Sequence, residues 1–196
     1  SHWQANRAAY QLYVLGEYQN LIPDAESAGE LGRAVQLYNY RDALDRYGQA
    51  TLAMALGLLE PEEDARVNTL LSDLAGDAIH SATGTHWEES EPDYWNMNTD
   101  IRSTAIVLWA LARHNPESEL LPNAVRWLMS VRKEGYWEST NTTSWSLIAL
   151  VAYMRATGEL AGNYSYTVSL NGDVVLEGDV EETNIGALLY TTGFGL

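Results

Sequence analysis

The sequence predicts a mainly α-helical fold, a partial α/α toroid of helical hairpins with inner and outer rings, followed by a short C-terminal β-hairpin. An aromatic-Trp-Glu turn occurs twice, at residues 86–88 and 136–138, each time before an Ala- and Leu-rich helix opened by Ser or Thr. Two kinds of helix alternate along the chain, and after Gly162 the pattern becomes strictly alternating. Repetition of this kind is typical of arrays of helical hairpins.

Apolar residues at mixed three- and four-residue spacing predict the individual helices. In chain order the predicted helices cover residues 6–18, 27–38, 45–59, 61–74, 100–113, 122–132 and 143–156. Pro61 and the acids after it predict the start of the fourth helix, because Pro suits the first turn and acids suit the positive end of the dipole. Gly158 is predicted to close the last helix, and residues 82–98 read as a loop.

The alternation of helix types is what predicts two rings. The segments 8–15, 48–59, 103–112 and 143–154 are rich in Ala and Leu and carry little charge, whereas the helices between them are amphipathic. Inner helices of a toroid are buried on most faces, and outer helices face water on one side. A solenoid of helical pairs would give a similar pattern.

A β-hairpin is predicted after the last helix. Tyr and aliphatic residues alternate with polar ones over residues 164–170, Asn171-Gly172 supplies the turn, and residues 174–176 return. A hairpin this small is not stable alone, so it is predicted to begin a larger β-domain. The predicted domains are therefore a partial toroid at 1–160 and incomplete β-sandwich strands at 161–196, with no assignment for residues 185–196.

Charge and composition exclude several classes of function. The chain has 27 acidic and 11 basic residues, a net charge of -16 that would repel nucleic acid and anionic membranes. With no Cys, these 196 residues cannot supply a disulfide, a Cys-ligated metal or a thiol nucleophile. No run approaches the roughly 18 apolar residues of a membrane span, and Ser1-His2-Trp3 lacks signal-peptide features, so a soluble segment without direct membrane contact is expected.

The loop suggests a metal site only weakly. His80 and His86 lie near a group of acids in the sequence, namely Glu88, Glu89, Glu91 and Asp93. Their spacing matches no ligand motif, and acids in loops normally face solvent. We therefore predict no metal and no cofactor, with His86 as a structural partner of the turn.

The aromatic residues around the two turns allow two interpretations. They could line a sugar- or isoprenoid-binding mouth with Glu88 and Glu138 as a catalytic carboxylate pair. Alternatively, each turn Trp is a packing anchor between hairpins and the Glu beside it caps the next helix, which is the interpretation we favour, with no catalytic residue predicted. The aromatic residues concerned are Trp87, Trp95, Trp137, Trp145, Tyr94 and Tyr136.

Two segments satisfy the N-glycosylation pattern, starting at Asn141 and Asn163. Many unmodified chains carry this pattern, so it predicts little. We interpret the first as a polar turn that opens the last helix.

The ordered series of segments resembles one protein family. Residues 135–150, GYWESTNTTSWSLIAL, resemble the last inner helix of the thioester domain in alpha-2-macroglobulin proteins, especially bacterial ones. Residues 86–105 resemble the preceding hairpin, residues 47–56 also fit, and the strands after Gly162 are similar to the return into the flanking CUB-like β-domain.

The resemblance implies a role in trapping proteases. A protease cuts a bait region of such a protein, and a thioester in a Cys-x-Glu-Gln motif then acylates the captured enzyme. This chain departs from that pattern because it has neither the Cys nor the motif. The resemblance places the thioester upstream of Ser1, so no catalytic residue is carried over, although some bacterial members lack the thioester altogether.

The resemblance also implies partners and a location. The partners would be proteases trapped by the parent protein and other domains of the same chain, in the periplasm or outside the cell, with a parent that is often lipid-anchored. Two other functions stay open from the residues alone. One is an α/α-toroid enzyme acting on carbohydrate or isoprenoid, and the other is an interaction scaffold that docks a protein through the acidic, aromatic loop at 82–98.

Overall fold

The protein is mainly α-helical and ends in a short antiparallel β-hairpin, as predicted. The computed structural model describes residues 2–22, 28–159 and 163–180. The chain divides into two compact units, with the boundary between Tyr153 and Met154. The predicted helix start at Ser27 and residues 185–196 lie outside the described residues, and the assignment of residues 161–196 to a larger β-domain stays a prediction.

The helices and strands follow one another in simple order. The helices are α1 (His2–Leu21), α2 (Glu30–Tyr38), α3 (Arg46–Leu59), α4 (Ala65–Gly76), α5 (Asp100–His114), α6 (Leu120–Val131) and α7 (Thr140–Ala156). The strands are β1 (Ile79–Ser81), β2 (Gly84–His86), β3 (Tyr164–Leu170) and β4 (Asp173–Val180). Within the described ranges, none of these helices is both long and apolar enough to cross a bilayer.

The centre of the larger unit is α3. It packs against α1 and α5 on its two sides and against α2 and α4 as well, and every residue from Tyr47 to Leu56 is buried. By contrast, α4 buries one stripe of four apolar residues and leaves its other face in water. This contrast confirms the two predicted kinds of helix and is consistent with an inner and an outer ring.

Two helices that were predicted to be inner ones are less buried than expected. On α1 the buried stripe includes Ala9 and Leu12 but not Leu15 or Tyr18, which are 37% and 52% exposed. On α7, Ile148 belongs to an apolar face that remains open to solvent. The prediction of burial on most faces is wrong for these two, because no other described helix packs on their far sides.

Several predicted boundaries also needed correction. Helix α4 begins at Ala65, not at Pro61, because Pro61 lies in the turn that follows α3 and Glu63 accepts a hydrogen bond from the Ala65 N–H. Helix α7 begins at Thr140, three residues before the predicted start at Thr143. Residues 82–98 are not all loop, since β2 pairs with β1 and residues 94–96 form a 3₁₀ turn.

The C-terminal hairpin agrees with its prediction. Strands β3 and β4 are antiparallel, with Tyr164 opposite Val180 and an irregularity after Val168. Asn171 and Gly172 both have positive φ angles, 55° and 95°, which is the geometry that favours these residues in a two-residue turn.

Candidate functional site

The first Trp-Glu turn is a buried corner between α4 and α5. Trp87 is completely buried, and its indole N–H donates to the Leu74 carbonyl of α4 over 2.6 Å. Its backbone N–H donates to the Thr104 hydroxyl of α5 over 3.0 Å, and that hydroxyl donates back to the Trp87 carbonyl over 3.3 Å. One Trp thus fastens the end of an outer helix to the start of the next inner helix.

The second turn repeats these contacts. Trp137 is 2% exposed, and its indole N–H donates to the Leu128 carbonyl of α6 over 2.7 Å. Its backbone N–H and carbonyl both bond the Thr143 hydroxyl of α7, each over 3.0 Å. The prediction that both Trp residues are packing anchors is confirmed. We call this arrangement of Trp, outer-helix carbonyl and inner-helix Thr the Trp corner.

The Glu residues beside the two Trp residues do not cap the following helices, so that prediction is wrong. Glu88 pairs with the His86 ring over 3.0 Å, and Glu138 is exposed with a φ of 37°. Thr99 and Ser139 accept the free N–H groups at the starts of α5 and α7 instead. Their hydroxyls do so because each lies just before the helix, where a short polar side chain reaches a first-turn N–H.

Glu89 is a cap that the sequence did not reveal. Its carboxylate accepts the backbone N–H groups of Arg46 and Tyr47 over 2.9 and 3.2 Å, at the start of α3, and it also accepts the Ser103 hydroxyl of α5. Asp100 accepts the Glu89 N–H in return. Because α3 lies far away in the sequence, local spacing carries no signal of this contact, which ties the loop to two inner helices.

We expect Glu89→Ala to lower the free energy of unfolding by about 1–2 kcal/mol, because it leaves two helix-end N–H groups without their acceptor. Urea unfolding followed by circular dichroism measures this change. Glu91→Ala is the matched control, because Glu91 is exposed in the same loop, and we expect a change within about 0.5 kcal/mol. Equal losses in both variants would contradict the capping role.

The two histidines of the loop have separate structural partners. His80 bonds the Thr85 hydroxyl over 3.0 Å, whereas the His86 ring stacks on Trp127 with centroids 4.5 Å apart. This stacking places His86 in the structural part of the turn, as predicted. His86 also pairs with Glu88, so two of the residues considered as metal ligands are hydrogen-bonded to each other.

A different set of possible metal ligands comes together at the start of α1 and α3. His2, Asp45 and Asp93 each offer a ligand atom within 4.8 Å of the others. Asp45 accepts a hydrogen bond from the Asn6 side chain. Asp93 accepts hydrogen bonds from the Tyr47 hydroxyl and from the Asn96 N–H of the 3₁₀ turn. Since the carboxylates already have these protein donors, the geometry alone assigns no ion to them.

Asp45 and Asp93 respond to this buried environment in opposite ways. Burial, together with the nearby charge of Glu89, raises the pKa of Asp45 to about 6. Burial alone would also raise the pKa of Asp93, but hydrogen bonds from Tyr47 and Asn96 outweigh it and hold that pKa below its ordinary value.

The raised pKa of Asp45 predicts a pH-dependent stability. The folded protein binds this proton more tightly than the unfolded chain, whose Asp has a pKa of about 3.9, so the stabilisation is complete below about pH 4 and is lost as the pH rises through about 6. We expect Asp45→Asn to remove this slope, worth up to roughly 3 kcal/mol, because each pH unit between the unfolded and folded pKa corresponds to about 1.4 kcal/mol. Urea unfolding of both proteins between pH 4 and 7 measures it, and parallel profiles would contradict the account. The lowered pKa of Asp93 has the opposite effect: its contribution to stability is lost as the pH falls through that pKa.

One cleft lies at the amino-terminal ends of the inner helices. It has a volume of about 370 Å³ and receives side chains from α1, α3, α5, α7 and the 3₁₀ turn. The lining residues are Arg7, Tyr10, Gln11, Tyr47, Trp95, Asn96, Met97, Arg102, Asn141 and Trp145.

The cleft uses only part of the aromatic set that the sequence suggested for a ligand-binding mouth. Trp95 and Trp145 line it, whereas Trp87 and Trp137 are buried in the corners, and Tyr94 and Tyr136 are exposed. Neither Glu88 nor Glu138 lines it. The described geometry therefore does not assemble the carboxylate pair and aromatic platform of a glycosidase around this cleft.

A comparison with known protein families identifies the family of this helical unit. The family model of the A-macroglobulin TED domain, the thioester domain of these proteins, matches residues 8–153. The chain belongs to this family. The match runs from α1 into α7 and includes both Trp corners, while the C-terminal hairpin lies beyond it. No curated protein matches the chain.

Membership of the A-macroglobulin family confirms the main sequence-based identification. It is a family of protease inhibitors rather than of catalysts, and the chain is part of an alpha-2-macroglobulin-like protein. Because these 196 residues contain no Cys, they do not themselves supply the thiol of a thioester.

Proposed function

We propose that this chain is a structural section of the thioester domain in a bacterial protease trap of the cell envelope, periplasmic or extracellular, whose parent protein is anchored by lipid. The single observation that carries this proposal is the family match over residues 8–153. Its partners would be proteases captured by the parent protein and the other domains of that protein.

The Trp corners support a structural role for this section. Each one joins an outer helix to an inner helix through a buried indole and a buried or half-buried Thr, and neither presents a free reactive group. In a trap that rearranges when a protease cuts it, such corners would keep the helical hairpins together as one body. The chain would thus preserve the shape of the domain, while any acylating group comes from other residues of the parent.

The trapping role can be tested on the full-length parent protein. It would be mixed with an active serine protease or with the same protease blocked at its active site, and then separated by size exclusion and by denaturing intact-mass analysis. We expect the active protease, and not the blocked one, to co-elute with the parent.

The two measurements separate the possible outcomes. An adduct that survives denaturation supports covalent trapping, and co-elution without an adduct supports trapping by enclosure alone. Active protease that remains free, with the parent cleaved or intact, would overturn the inhibitory role.

A further inference from the structure

The cleft at the amino-terminal ends of the inner helices has a charge that is unusual for this protein. The whole chain carries a net charge of -16, yet two arginines, Arg7 and Arg102, line the cleft and no acidic residue is among its described lining. The cleft thus concentrates positive charge in an otherwise acidic protein, which favours an anionic ligand.

Arg102 is the more informative of the two arginines. It is 6% exposed and forms no ion pair among the described residues. One of its terminal nitrogens donates instead to the neutral Asn98 side chain over 2.9 Å. Its guanidinium lies over the rings of Tyr47 and Trp145, at 4.9 and 5.3 Å. The Nε atom is buried, and no described residue accepts a hydrogen bond from it.

The position of Arg102 in its helix also disfavours a buried positive charge. It is the third residue of α5, where the helix dipole is positive and disfavours a cation. Asp93 stabilises the charged form of Arg102 from a distance, but Asp93 is not in the lining and is engaged by Tyr47. A buried cation that is held by aromatic rings and lacks a carboxylate partner is costly for folding, which is typical of a functional position.

The rest of the lining supplies an acceptor and an apolar surface. Asn141 lines the cleft, and its buried side-chain oxygen has no hydrogen-bond donor among the described residues. Tyr10 and Trp145 pack edge-to-face there with centroids 5.8 Å apart, and Trp95 and Met97 complete the apolar wall. A volume of about 370 Å³ is at the small end of the roughly 300–1,000 Å³ typical of ligand sites.

We propose that this cleft binds a carboxylate that carries a neighbouring amide N–H and an aromatic or large apolar group, which is the chemistry of a peptide's C-terminal residue. The carboxylate lies against Arg102 with Arg7 at the entrance, the amide N–H reaches Asn141, and the apolar group packs against the aromatic wall. The proposal goes beyond the protective role above and does not depend on it, because protease capture by the parent can succeed or fail whether or not this cleft binds a ligand.

A matched pair of probes tests the carboxylate directly. N-acetylphenylalanine and N-acetylphenylalaninamide differ only in that group, and their binding to the full chain can be compared by isothermal titration and by heteronuclear NMR shifts. We expect the acid to bind with a Kd of about 1 mM, as its small size allows, and the amide at least tenfold more weakly. A peptide that ends in free Phe would bind at least as well as the acid if the natural source is a polypeptide, and more weakly if it is a small molecule.

Variants locate the site and control for net charge. Arg102→Gln and Asn141→Ala should each weaken binding of the acid at least tenfold, whereas Arg126→Gln, on the exposed face of α6, should leave it unchanged. If Arg102→Gln fails to fold, Arg7→Gln, at an exposed position of α1, and Asn141→Ala decide the question. Equal binding of acid and amide, equal loss in Arg126→Gln, or no binding of the acid at millimolar concentration would overturn the proposal.

Discussion

Trp87→Ala and Trp137→Ala are each expected to lower the free energy of unfolding by about 3–5 kcal/mol, the usual cost of truncating a buried Trp. Both side chains are almost completely buried, and each indole N–H donates to a carbonyl near the end of an outer helix. Truncation therefore removes apolar contacts and also leaves a buried carbonyl without its donor. Urea unfolding followed by far-UV circular dichroism measures the loss.

Two controls separate packing from hydrogen bonding at the corners. Trp87→Phe keeps most of the apolar contact but loses the indole N–H, so we expect the free energy of unfolding to fall by about 1–3 kcal/mol. Trp95→Ala removes a Trp that is 71% exposed, so we expect the free energy of unfolding to fall by less than about 1 kcal/mol. If Trp95→Ala and Trp87→Ala were equally destabilising, the corners would not be the anchors that the geometry indicates.

Gly84→Ala is expected to lower the free energy of unfolding by about 3 kcal/mol or more, nearly as much as the two Trp→Ala substitutions. Gly84 has a φ of 133° in β2, which L side chains rarely adopt, and an added Cβ would meet the backbone of α6 at the Asn123 carbonyl and, at 2.7 Å, the Trp127 nitrogen. Neither backbone atom can give way without moving the helix. The same unfolding assay measures the effect.

Gly76→Ala is the matched control for that substitution. Gly76 is the last residue of α4, and an added Cβ would meet nothing within 4 Å. We expect it to be neutral or to stabilise the protein by about 0.4–1 kcal/mol, through a lower entropy of the unfolded chain. A Gly84→Ala protein as stable as Gly76→Ala would show that β2 does not approach α6 so closely.

Much of the fold was readable from the sequence because it depends on local patterns. The near-continuous run of small and apolar residues in α3 predicted its burial, and Asn171-Gly172 predicted the hairpin turn. The positions of helix starts were less predictable. Pro61 and its acids are typical of a first turn, yet they lie before α4, since the chain needs a turn between α3 and α4 at that point.

The candidate sites were harder to predict because they depend on contacts between distant residues. Two Trp residues in similar turns indicated the corners, but their partners Thr104 and Thr143 lie 17 and 6 residues further on, so a fixed spacing could not reveal them. Arg102 comes just before the weakly charged segment 103–112, and its local sequence carries no sign of a binding site. Only the packing of α1 and α7 beside it shows that it lines a cleft.

The central claim is that the repeated motif forms two equivalent structural corners, and matched substitutions in both corners test it most directly. Trp87→Phe and Trp137→Phe each remove the indole donor of an outer-helix carbonyl, and Thr104→Val and Thr143→Val each remove the hydroxyl that bonds the Trp backbone. We predict that each of the four substitutions lowers the free energy of unfolding, measured in urea, by about 1–3 kcal/mol, because each leaves a backbone group of the corner without its partner. Losses in one corner with none at the equivalent positions of the other would contradict the claim.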